Sequence, residues 1–128
     1  MSATEHTFEL PATAAAAGLA RRELASTPGV TGELAYKALL MTSELIAVYV
    51  ESLEPQPGTT LCLSVRVTPE RVRIEVGGQP LGVSADELLH AREAPSLGGY
   101  GLQIVERMAD AWGIEGGRDT IIWFELLR

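Results

Sequence analysis

The run Thr60-Leu61-Cys62-Leu63-Ser64-Val65-Arg66-Val67 leads through Thr68-Pro69-Glu70 into Arg71-Val72-Arg73-Ile74-Glu75-Val76. Leu61, Leu63, Val65 and Val67 fall on one side of an extended chain, with Ser64 and Arg66 opposite. Val72, Ile74 and Val76 alternate in the same way with Arg71, Arg73 and Glu75. A period of two on both sides of a proline turn predicts an antiparallel hairpin with one buried face. Gly77-Gly78 closes its second strand.

Toward the N-terminus, Phe8-Glu9-Leu10 reads as a short strand stopped by Pro11. Thr13 opens an alanine-rich helix to about Ala25, which propensity favours, and Thr27-Pro28-Gly29 breaks it. Thr31 begins a second helix. Its Leu34, Ala38, Met41, Leu45 and Val48 recur at steps of three and four and so share one face. It ends near Glu51, ahead of Pro55-Gln56-Pro57-Gly58. Toward the C-terminus, residues 79–97 are irregular, with a short helix from Ser84 to Ala91. Gly98-Gly99-Tyr100-Gly101-Leu102 then opens a third main helix faced by Leu102, Val105, Met108 and Ala109. Trp112 to Glu115 and Thr120 to Leu127 are strands joined by a turn at Gly116-Gly117-Arg118-Asp119. The order β-α-α-β-β-loop-α-β-β does not alternate one for one. It predicts a single α+β domain over residues 1–128, with a mostly antiparallel sheet and three main helices on one face.

Composition narrows the classes of function. The chain is 128 residues long, 46% apolar and only 5% aromatic, so its core must be aliphatic. No apolar run approaches the roughly 20 residues of a membrane span, and the alanine-rich start lacks a signal peptide's basic lead-in. The expectation is a soluble, cytoplasmic protein with no membrane partner. Cys62 is the single cysteine, which excludes an internal disulfide and a thiolate cluster; its apolar run predicts a buried core thiol. His6 and His90 are too few for a metal site. A formal net charge of −7 argues against nucleic-acid binding and is compatible with a basic protein partner.

A glycine turn ahead of a helix can bring backbone N–H groups, and the partial positive charge of the helix start, close to phosphate oxygens. No strand leads directly into Gly98 to Leu102, so the Rossmann pattern is not met. No Lys-Ser or Lys-Thr follows, so neither is the Walker pattern.

The whole arrangement resembles the histidine-kinase-like ATPase domains of the GHKL type, above all the small stand-alone bacterial anti-sigma factors that are serine-protein kinases. Phe8 to Ala12 looks like the family's first strand. Thr42-Ser43-Glu44-Leu45 looks like the start of its asparagine-bearing helix, and Val72 to Val76 like the strand before its aspartate. Gly99-Tyr100-Gly101-Leu102 with Val105 matches its second glycine box. Ala109 to Gly113 and Thr120 to Leu126 look like its closing strands. The resemblance implies the two-layer Bergerat sandwich, with ATP and Mg²⁺ as cofactors. It also implies a sigma factor or an anti-sigma antagonist as protein partner, with Glu44 as general base. Gly98, Gly99, Tyr100, Gly101, Leu102 and Gly78 would lie along the nucleotide.

Two positions depart from the pattern. The family's magnesium-holding asparagine is Val48 here, and valine offers no oxygen to a cation that demands it; the next residue, normally small, is Tyr49. The family's adenine-binding aspartate falls at Gly78, which has no side chain to accept the hydrogen bond. Such a bond is worth roughly 1.5–3 kcal/mol, or about ten- to a hundredfold in affinity. The expectation is a regulatory protein with weak or lost ATP binding. The alternatives are an active kinase or ATPase with rebuilt contacts, for instance through the Gln79 amide, and a ligand-free structural module that pairs as a homodimer. Trp112 and Trp123 are expected to pack on the sheet, and Asp86, Glu87 and Asp110 to be surface acids.

Overall fold

A computed structural model of the chain describes residues 3–53, 58–81, 84–91, 99–116 and 119–128. Strand β1 (Thr4–Pro11) is followed by helices α1 (Ala16–Ala25) and α2 (Gly32–Glu51) and by the hairpin strands β2 (Thr60–Val67) and β3 (Arg71–Gln79). Helices α3 (Ala85–Ala91) and α4 (Gly99–Met108) lead to β4 (Ala111–Glu115) and β5 (Thr120–Leu127). The five strands form one sheet in the order β1-β2-β3-β5-β4, and every neighbouring pair is antiparallel. The architecture is α+β, as the element order predicts. Among the described residues no helix is long and apolar enough to cross a membrane.

One face of the sheet carries the core. Leu61, Leu63, Val65, Val72, Ile74, Val76, Ile122 and Phe124 are all buried, and they meet Leu24 of α1, Met41 and Leu45 of α2, and Leu102 and Val105 of α4. α1 turns Ala16 and Ala20 inward, small side chains that let its backbone come close to α2. Several boundaries differ from the expectation. β1 starts four residues earlier, because it pairs with β2 along its full length, from Thr4↔Val67 to Pro11↔Thr60. α1 starts at Ala16 and not at Thr13, whose hydroxyl accepts a bond from the Ala15 N–H at 3.3 Å. α3 is closed at its start by a reciprocal pair. The Glu87 N–H donates to Ser84 Oγ at 3.1 Å, and the Ser84 N–H to Glu87 Oε1 at 3.3 Å.

The opposite face has no described helix on it. Arg73 is its organising residue. Its guanidinium donates to Glu75 at 2.8 Å and Glu125 at 3.3 Å and stacks 4.0 Å over the ring of Trp123. These partners offset the like charge of Arg66, which lies directly across from Arg73 in the β2–β3 register. Trp123 in turn lies against Gly113 on β4. Trp112, one residue away in the chain, points to the core side and is partly buried there. Cys62 is half-buried on this outer face, which corrects the expectation of a core thiol. Period two places it opposite Leu61 and Leu63.

A β-carbon on Gly113 would stand 2.9 Å from both Cζ2 and Nε1 of Trp123. The indole is rigid and held by Arg73, so Gly113→Ala is expected to push it off the sheet at a cost of about 1–3 kcal/mol. In a Trp112→Phe background the remaining tryptophan emission should shift to the red, and the denaturant midpoint should fall. An unchanged spectrum and midpoint would refute this packing.

Candidate functional site

Helix α2 brings the predicted positions into the interior. Glu44 and Val48 lie one turn apart on the side facing α4, and Tyr49 is turned by about 100° from Val48. Val48 is buried and Tyr49 is wholly so, while Glu44 is half-buried. Among the described residues the Glu44 carboxylate makes no hydrogen bond or ion pair. The first turn of α4 carries Gly99, Tyr100 and Gly101, with Leu102 buried just beyond; Gly98 lies outside the described residues.

α4 can approach α2 because position 101 has no side chain. A β-carbon there would lie 2.9 Å from Val48 Cγ2, 3.2 Å from the Glu44 main-chain oxygen and 3.4 Å from Glu44 Oε2. Glu44, Val48 and Gly101 therefore form one contact, with the valine methyls against the turn. Thr42 and Ser43, just before Glu44, face elsewhere. Ser43 Oγ accepts from Arg21 of α1 at 3.0 Å and donates to the Leu39 carbonyl at 2.9 Å. Thr42 is buried.

Tyr49 reaches the far ends of β3 and β5. Between Val76 and Gln79 the β3–β5 register slips by one residue, a bulge on the strand that holds Gly77 and Gly78. The Tyr49 hydroxyl sits at this break. It accepts from the Gln79 N–H at 2.9 Å and has two carbonyls to donate to, Gln79 at 2.7 Å and Thr120 at 2.9 Å. Burial raises its pKa from 10.0 to about 12, with nearby Asp119 and Cys62 acting in the same direction and the Gln79 backbone bond against them.

Gly78 belongs to this bulge but not to the tyrosine contact. It is exposed, with φ +96°, and a β-carbon there would first meet Cβ and N of Cys62, both at 3.3 Å. The Gln79 amide points the same way, donating to the Thr60 carbonyl at 2.8 Å. It is the Gln79 backbone that faces the helix. Asp110, read as a surface acid, has a structural use: its carboxylate accepts the Leu127 N–H at 2.8 Å. The part of Gln79 and Thr120 in the site escapes a reading of side chains, since both act through main-chain atoms. Gly77 and Gly78, read as the end of the strand, lie within it. Two signals could have found the site: paired glycines in a strand, which mark a bulge, and a hydroxyl-bearing aromatic on a helix face otherwise aliphatic, which must find a partner when buried.

No protein-family model matches the chain, and no curated protein matches it either.

Tyr49→Phe removes the hydroxyl and takes a partner from the part-buried Gln79 N–H and carbonyl and from the buried Thr120 carbonyl, for an expected loss of about 1–3 kcal/mol at neutral pH. The pH dependence has a definite sign. A phenol whose pKa is raised by folding stabilises the fold fully below pH 10.0, and that contribution is lost as pH climbs toward 12. The gap between wild type and Tyr49→Phe in denaturant titrations should therefore narrow over that window, and the late-rising tyrosinate absorbance of Tyr49 should be missing from Tyr49→Phe. A constant gap would contradict the burial of this hydroxyl.

Gly101→Ala should cost about 1–3 kcal/mol by forcing α4 away from α2. The same change should cost less in a Val48→Ala background, by about 0.5 kcal/mol or more. Equal costs in both backgrounds would mean that Val48 does not limit the approach.

Proposed function

We propose that the chain is a regulatory protein of the histidine-kinase-like ATPase type whose nucleotide site is filled by its own side chains. On this reading it resembles the anti-sigma factors that are serine-protein kinases. It acts in the cytoplasm on transcription through a protein partner, such as a sigma factor or an anti-sigma antagonist. The observation that carries the reading is Tyr49: where the family keeps a small residue, a buried tyrosine bonds to the Gln79 and Thr120 backbone.

Three further features support it. ATP and Mg²⁺ do not fit the residues present. Val48 has no oxygen to offer a cation, and its methyls are packed toward Gly101. An aspartate at Gly78 would take on a strained backbone, φ being +96°, and would meet Cys62 first. Glu44 then has no positioned hydroxyl or water to activate and remains a helix carboxylate beside α4. The antiparallel sheet with its helices on one face is of the kind that the Bergerat sandwich requires. With the excess of acidic groups, the partner is expected to present a basic surface.

Isothermal titration of the whole protein with Mg-ATP is expected to show no heat above dilution. Magnesium-dependent binding at micromolar concentration would overturn the filled-site reading in favour of an active kinase or ATPase. In the same assay Val48→Asn with Gly78→Asp should gain no affinity, because Tyr49 still occupies the space.

A further inference from the structure

We infer that Tyr49 is a built-in ligand. Its phenol occupies a site whose polar end is made by the Gln79 N–H, the Gln79 carbonyl and the Thr120 carbonyl. That site is suited to a planar ring carrying a hydrogen-bond donor beside an acceptor.

In a regular antiparallel ladder the strands satisfy one another. At this break Gln79 and Thr120, which face each other across the ladder, also turn three backbone groups toward one point, and the point is reached by a side chain from a third element. A hydroxyl has one proton, so it can serve only one of the two carbonyls at a time. The set of groups is therefore richer than the phenol it holds. One acceptor and two donors would satisfy it fully, which is what a neutral ring nitrogen beside an amino group presents. Aminopyridines and the amino edge of adenine are of this class. For adenine the inference rests on the nucleotide-site reading above; for a phenol it rests on the geometry alone.

The arrangement also has a consequence for regulation. Tyr49 ties α2 to the ends of β3 and β5 at every moment, as an external ligand would only when bound. The closure of this part of the fold is constitutive, and partner binding is set independently of any small molecule at this position. The ring stays neutral, and so remains a donor, throughout the physiological pH range.

Removing the ring should turn the internal ligand into an external one. Tyr49→Ala in the full chain is to be tested by thermal unfolding with p-cresol, with toluene, and with a methyl-aminopyridine of the same size held neutral. p-Cresol should raise Tm saturably, the aminopyridine at least as much, and toluene clearly less. A Tm unmoved by p-cresol, or moved equally by toluene, overturns the inference, since the space would then have collapsed or would lack a polar end. If Tyr49→Ala is unfolded without additive, folding induced by p-cresol is the same readout. A second variant does not depend on that fold. In Tyr49→Phe, amide hydrogen exchange at Gln79 should quicken by about tenfold more than at Ile74, which follows the stability of the whole fold; a Gln79 amide that quickens no more than Ile74 overturns the inference. Rescue by p-cresol with no response to adenosine upholds the built-in ligand and counts against the nucleotide-site reading alone.

Discussion

The hydroxyl of Tyr49 is the point at which three elements of this protein meet. Strands β3 and β5 lose their common register just where β3 ends and β5 begins. A register break in a buried sheet exposes backbone groups that must be paired, since an unserved N–H or carbonyl costs about 1–3 kcal/mol. The tyrosine on α2 meets that need from the helical layer. It thereby fixes the helix against the sheet at a position that aliphatic contacts alone would leave free to slide. Burial of the ring and the bonds of its hydroxyl act together: a smaller residue would leave a void, and phenylalanine would leave the bulge unsatisfied.

A second constraint is the closeness of α2 and α4. Gly101 lets the first turn of α4 rest on Glu44 and Val48. The same residue type that would admit a phosphate in a nucleotide-binding turn here admits a helix. Glycine supplies the space in both cases, and the neighbour decides what fills it. Here the nearest neighbour is a valine methyl, with Glu44 beside it, and Tyr49 one residue on reaches toward the sheet. The outer face of the sheet follows separate rules. Arg73, Glu75, Glu125 and Trp123 make a charged and aromatic cover that Gly113 lets lie flat. That cover keeps a sheet with helices on one side presentable to water.

Much of this was legible in the residues. Alternation at Leu61 to Val67 and Val72 to Val76 defined a hairpin with the correct inward face, and the three- and four-residue steps from Leu34 to Val48 defined α2. Thr120 to Leu127 was readable as a strand from end to end. The inward face of α2 was legible only in part, because Thr42, Ile46 and Tyr49 are buried there too. A helix packed on both a sheet and neighbouring helices buries a wider stripe than its strongest apolar positions trace. The start of β1 was hidden because Thr4 to Thr7 carries little apolar signal; pairing with β2, not local preference, makes it a strand.

The candidate site divides along the same line. Sequence alone determined the chemistry on offer: a valine at position 48, a glycine at position 78, a glutamate one turn before the valine, and a tyrosine beside it. These are covalent facts and need no fold. Only the tertiary structure decided what those residues touch. It turned position 78 toward Cys62, seated Val48 against Gly101, and led the Tyr49 hydroxyl to main-chain atoms of Gln79 and Thr120. Backbone groups are the same in every residue, so no pattern of side chains can announce which of them a sheet will leave unpaired. That follows from the register, and the register is settled only when all five strands are in place.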